Sequence, residues 1–316
     1  VCYDASEFGL TFNLSNNQKF VINLADEESS VFGAESFMNP VTSDELTFGY
    51  FSSAEYGKFD LDLGIRFDRI DRNGSITEGH HDEDEHHDED EHHDEDEHHE
   101  EEEGETTFFD KSFDNISLAA NLGRELNDNF DLDFGFAIVE RAPSASELFM
   151  NGPHLVTQRF EVGNTNLSAE ESTNFEFTLN YNNAGTYSSF TMYKNSVDNY
   201  IYLMDESEEE HEEHDEEHEE GHDDHEGLTL ANFVQENAEF EGIEFQVGRI
   251  VELASGTLDI RFSRDEVSAS FDDGHDVPRI TPSRNTYSLA YSKDTMVFKL
   301  MLKDVDKQSD VAEGET

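Results

Sequence analysis

The chain has 316 residues, with 76 acidic side chains against 19 basic ones, a formal net charge of -57, 15 histidines, one cysteine and no tryptophan. A field of that sign repels nucleic acid and anionic surfaces and gathers cations within a Debye length of about 8 Å, which excludes a polyanion-binding protein. The lone Cys2 excludes an intrachain disulfide and a cysteine-based zinc finger, and no run approaches the roughly eighteen apolar residues of a membrane helix.

In chain order, apolar residues recur with a period of two, the spacing that sends alternate side chains to opposite faces of a strand. The pattern opens weakly at Phe20, Ile22 and Leu24, and again at Leu46, Phe48 and Tyr50. Between Lys58 and Asp68 it is complete: Phe59, Leu61, Leu63, Ile65 and Phe67 form one face, and Asp60, Asp62, Gly64 and Arg66 lie on the other. It continues at Ile116, Leu118, Ala120 and Leu122, at Phe130, Leu132, Phe134, Phe136 and Ile138, and at Phe175, Phe177, Leu179 and Tyr181. Ile243, Phe245 and Val247, then Leu258, Ile260 and Phe262, then Phe298, Leu300 and Leu302 complete the series. About twelve strands are predicted, and no helix.

Two kinds of connection alternate. Short polar turns are expected at Ser15 to Asn17, Ser53 to Gly57, Gly123 to Asn127, Asn182 to Gly185 and Ala254 to Gly256, and long connections at about 27–43, 69–107, 141–170, 203–230 and 265–282. That alternation predicts an all-β fold, an antiparallel transmembrane β-barrel of the bacterial outer membrane with short periplasmic turns and long extracellular loops. The apolar face meets outer-membrane lipid and the charged face lines a wet lumen. A soluble sandwich with the faces reversed is the competing reading; long strands and loops approaching about forty residues weigh against it. Backbone groups in hydrocarbon need internal partners, so twelve strands require others to close the barrel, and both chain ends are read as truncations. Tyr50, Tyr56, Tyr181, Tyr200 and Tyr202 fall near predicted strand ends, where an interfacial girdle belongs.

Two segments concentrate the charge: residues 80–103 hold 16 acidic side chains and residues 205–226 hold 15. The first presents His80-His81, His86-His87, His92-His93 and His98-His99 in a six-residue repeat, and the second presents His211, His214, His218, His222 and His225. Neutral imidazole and carboxylate are ligands of zinc, and also suit copper, nickel and cobalt. A solvated low-complexity tract needs acids alone, whereas paired histidines repeated four times in one loop, with further histidines among acids in a second, point to metal capture. Dense carboxylates favour imidazolium, so protons compete with the metal.

The segment from Glu140 to Phe175 contains Arg141-Ala142-Pro143-Ser144, Glu147-Leu148-Phe149, Asn151-Gly152-Pro153-His154, and Gly163-Asn164 through Asn166-Leu167 to Glu171-Ser172. Here the chain resembles TonB-dependent receptors, specifically their zinc-uptake branch, and Val277-Pro278-Arg279-Ile280 and Lys307 to Thr316 look like late-barrel segments of the same branch. Thr165 and Ala169 depart from the proline or lysine common in the family. The resemblance implies a monomeric barrel of about 22 strands around an N-terminal plug, with residues 1–316 part of the wall. It further implies energy from the TonB system through a plug and TonB box outside this sequence, and Zn²⁺ as cargo with no catalytic cofactor. It makes His154 a candidate ligand of an ordered site near the plug; a locally hydrogen-bonded loop histidine is the other reading. His275, beside Asp272, Asp273 and Asp276, is a weaker candidate of the same kind.

Active uptake of a transition metal ion, zinc first, is therefore the leading expectation. A passive cation-selective porin-like channel and a non-transporting surface metal buffer are the alternatives. An enzyme is not expected, since Ser144, Ser146 and His154 share a loop without a motif that would align them.

Overall fold

The computed structural model describes residues 2–33, 36–77, 105–206, 227–309 and 311–312. Its strands are β1 (Cys2–Ser15), β2 (Gln18–Ser30), β3 (Val41–Tyr56), β4 (Phe59–Thr77), β5 (Thr106–Asn127) and β6 (Phe130–Arg141). A short helix α1 (Ala145–Phe149) and two short strands β7 (Asn151–His154) and β8 (Arg159–Val162) follow. The chain then returns through β9 (Glu170–Asn183), β10 (Thr186–Asp205), β11 (Thr229–Leu253), β12 (Gly256–Phe271), β13 (Arg284–Lys293) and β14 (Met296–Val305). Apart from β7 and β8, each strand pairs antiparallel with the next in one sheet, β6 pairing β9. These twelve wall strands match the expected number.

Directly opposed residues share a face of the sheet, so register shows whether the period-two patterns of separate strands join. They do. One apolar row runs Phe12, Phe20, Tyr50, Ile65, Leu118 and Ile138 across six strands. A second runs Leu122, Phe134, Phe177, Met192 and Ile243, and a third Val247, Phe262, Tyr287 and Leu302. Large apolar side chains on this face lack protein cover: Phe134 is 47% exposed and Leu302 63%. In β4 the band spans Phe59 to Phe67, about 30 Å of strand, which when tilted fits a hydrocarbon layer.

The opposite face is polar and cross-linked. Asn180 donates to Asp131 at 2.9 Å, Ser189 to Asn180 at 2.8 Å, and the Thr178 and Thr191 hydroxyls lie 2.8 Å apart. It is also the face over which residues 142–169 fold, because the Phe149 ring lies against Gly74, where a Cβ would come within 2.6 Å of the ring. The polar face is therefore the lumen side.

Three expectations are corrected. The long connections are narrower, because β4 continues from Phe67 to Thr77 and β10 from Lys194 to Asp205, each about 35 Å past the apolar band. Outside hydrocarbon both faces can be polar, so the alternation that marks a strand fades while backbone pairing persists. The 141–170 connection is not plain loop: it holds α1, β7 and β8, too short for a periodic signal. Tyr56 and Tyr181 sit at the short-turn end as a girdle requires, but Tyr50 lies inside the apolar band, and Tyr200 and Tyr202 pack with Phe271 and Val277 beyond its other end.

Replacing Leu118 by Arg places a charge in mid-band and should cost about 2–4 kcal/mol in lipid, against at most about 1 kcal/mol for Asn121→Arg on the lumen face. Urea unfolding in lipid vesicles measures both.

Candidate functional site

The strap formed by residues 142–169 is held by one arginine. Arg141, at the end of β6, donates to Glu170 of β9 at 2.5 Å and bidentately to Glu147 of α1 at 2.9 and 3.2 Å. Burial works against the guanidinium charge, but its bonds to Glu170 and Glu147 outweigh it and hold its pKa above the ordinary value. Glu147 also closes a capping box: its carboxylate accepts from the Ser144 amide at 2.7 Å, and its own amide donates to Ser144 Oγ at 3.3 Å. The second Glu170 oxygen takes the Ile201 amide of β10 at 2.6 Å. Leu148 and Phe149 then enter a core with Val31, Val41, Leu167 and Ile201. Gly163 is required where the strap returns, since a Cβ there would meet the backbone of Leu148 and Met150 at 2.7 Å.

His154 ends β7. Its Nδ1 lies 3.0 Å from Glu161 Oε1 across the β7–β8 hairpin, and the same oxygen accepts from Thr157 Oγ1 at 2.9 Å. Glu161 is buried, and the Phe37 ring centroid lies 5.5 Å from the imidazole. A carboxylate on Nδ1 fixes the ring and directs Nε2 away from it, as is usual behind a metal-ligating histidine. It is equally what a locally bonded loop histidine makes. His275 is separate: its Nδ1 lies 2.6 Å from Asp273 Oδ2, and the imidazole is 81% exposed. The His275 amide holds the Asp273 carboxyl below the usual range. Among the described residues no three His, Cys, Asp or Glu side chains converge to hold a metal ion.

The histidines of both tracts, 80–99 and 211–225, lie outside the described residues; their roots do not. Asn151 of β7 donates to the Thr77 carbonyl at 3.1 Å, Asn39 donates to Thr77 Oγ1 at 2.9 Å, and the Thr77 and Thr106 hydroxyls meet at 2.9 Å. On the other strand of the hairpin, Arg159 grips Asp205 bidentately at 2.6 and 2.5 Å, and β8 pairs in parallel with β11 from Thr229 to Asn232. The Thr229 amide donates to the Gln158 carbonyl at 3.1 Å. One hairpin, carrying His154, therefore touches the roots of both tracts. Sequence reading missed the parts played by Asn151 and Arg159, since ordinary polar residues in a loop carry no signal of a partner 74 or 46 positions away, and that of Glu161, since only the β7–β8 hairpin brings it onto His154.

Residues 4–305 match the family described as TonB dependent receptor-like, beta-barrel. The chain belongs to that family. TonB-dependent receptor barrels lie in the outer membrane of Gram-negative bacteria, so the short turns are periplasmic and the tract roots extracellular. Solved structures share the fold: the copper transporter OprC aligns with a TM-score of 0.64 at 14% identity over 98% of this chain and 45% of its own. The hemophore receptor HasR of Serratia marcescens, in complex with its hemophore HasA and heme, gives 0.57 at 12% over 95% and 50%. The ferric-catecholate import receptor Fiu of E. coli K12 gives 0.57 at 13% over 92% and 41%. The chain thus spans about half the length of these TonB-dependent relatives in fold, and family and neighbours alike are receptors or transporters rather than enzymes.

Within this receptor barrel, Gly163→Ala should loosen the strap by about 1–3 kcal/mol through overpacking against α1. Glu170→Gln should cost about 1–2 kcal/mol, reduced from a fully buried charged hydrogen bond because Arg141 is partly exposed. Limited proteolysis between 142 and 169 should accelerate in both variants while the wall keeps its thermal transition.

Proposed function

We propose that this barrel belongs to a receptor that actively imports a transition metal ion, with zinc as the cargo that its imidazole and carboxylate donors fit best. The observation that carries the reading is the convergence of both tract roots on the β7–β8 hairpin beside His154. The two longest hairpins of the wall, β4–β5 and β10–β11, raise those roots about 35 Å past the apolar band. Ions gathered by the tracts are thereby concentrated over one point of the mouth without a tight site in either tract. His154, steadied by Glu161, offers Nε2 as a further ligand, and a plug moved by the TonB system would release the ion to the periplasm. The copper transporter OprC has a similar fold, and copper is the competing cargo for the same donors.

Deleting residues 80–103 and 207–226, which spares Thr77, Thr106, Asp205 and Thr229, should reduce zinc bound per chain and lower uptake from scarce zinc several-fold in cells making the whole receptor. Uptake unchanged by the deletion overturns the capture role, and uptake that persists without TonB favours a passive pore. Zinc affinity should fall steeply below about pH 6, where imidazole takes up a proton; an affinity flat from pH 7.5 to 5.5, roughly one unit either side of the histidine reference value, removes histidine from the ligand set.

A further inference from the structure

Beside the second tract root lies a half-enclosed cleft of about 750 Å³, walled by the end of β10, by β11, by the β12–β13 connection and by Gln308, Val311 and Ala312. One wall is apolar: Tyr202 and Phe271 stand with ring centroids 4.7 Å apart, and Ile280 packs beside them. Around that wall stand five carboxylates, Asp205, Glu206, Glu236, Asp273 and Asp276, against two guanidinium groups, Arg159 and Arg279. Arg159 is cancelled by its bidentate pair with Asp205. The negative field is felt inside: burial first, then the charge and hydrogen bond of Glu236, with Asp273 adding, push the Tyr202 hydroxyl up to about 12.

A bare metal ion does not suit this place. Its carboxylates do not converge on a point among the described residues, and Glu236 and Asp273 already accept from Tyr202 and His275. Charges dispersed round an aromatic wall suit instead a ligand whose positive charge sits on an apolar body, because the ring faces add attraction and the volume is that of a small-molecule site. We propose that this cleft binds an organic cation, an amine or guanidinium carried on an apolar skeleton. The site is distinct from the metal-capturing tracts and does not depend on that reading.

Three matched probes test it: dibenzylammonium, dibenzyl ether and dibenzyl phosphate, titrated calorimetrically into the whole receptor in nanodiscs with a chelator present and empty nanodiscs subtracted. The cation should bind on the order of tenfold tighter than the ether, and the phosphate more weakly still. Asp276→Asn and Glu236→Gln together should erase that preference, while Tyr202→Leu should weaken cation and ether alike. Since Glu236 bonds to Tyr202, Asp276→Asn alone, which leaves that bond in place, should lower cation affinity by a few-fold. Equal affinity for cation and phosphate, or acidic-to-amide variants that bind the cation as the parent does, overturns the proposal. Deleting 80–103 and 207–226 should leave the titration unchanged; loss of binding there assigns the effect to the tracts instead.

Discussion

Hydrocarbon offers a peptide group nothing to bond with, and the rest of this molecule follows from that constraint. Every amide in the band must find its partner within the sheet, so each wall strand is laddered to the next in register across all twelve. Register in turn brings the alternating patterns of separate strands into continuous rows. A slip of one residue would turn phenylalanines and leucines into the lumen and aspartates into lipid, which is why the pairing is so strongly specified.

Past the band the same ladder persists for another reason. Water could satisfy those backbone groups, yet β4–β5 and β10–β11 remain paired far beyond the apolar rows and end at the roots of the two histidine and acid tracts. A strap of fewer than thirty residues ties these extensions together. It is fixed at its base by Arg141, Glu147 and Glu170, where a guanidinium meets two carboxylates in partly buried, well-oriented geometry. The strap combines that pair with a capping box, a buried Leu148–Phe149 anchor and a glycine that admits the returning chain, so its short elements are held by tertiary contacts rather than by local propensity.

The extracellular mouth has two kinds of acidic place. The tracts carry imidazole with carboxylate, the donor set of a borderline metal ion, within the 28 residues between Thr77 and Thr106 and the 23 residues between Asp205 and Thr229. The cleft between β10, β11 and the β12–β13 connection carries carboxylates around tyrosine and phenylalanine, with no shared focus for an ion. Both are acidic, but the first sets its carboxylates among imidazoles and the second sets them around aromatic rings. A net charge of -57 thus does not describe a uniform surface.

The amino-acid sequence by itself determined the strand-rich class, the twelve wall strands, the membrane-facing rows and the two histidine- and acid-rich tracts as compositions, because a period of two and a repeat of six are local properties. Phe59 to Phe67 announces its faces whatever it is paired with. Tertiary structure alone decided where the ladders stop, that Tyr202 lines a cleft and Tyr200 packs on the Phe271 cluster rather than forming a membrane girdle, and that α1, β7 and β8 exist. Only the fold placed Asn151 on Thr77 and Arg159 on Asp205, bringing two distant tract roots to one hairpin. Such contacts depend on how the strap crosses the lumen face, and a polar side chain in a loop carries no periodicity from which its partner could be inferred.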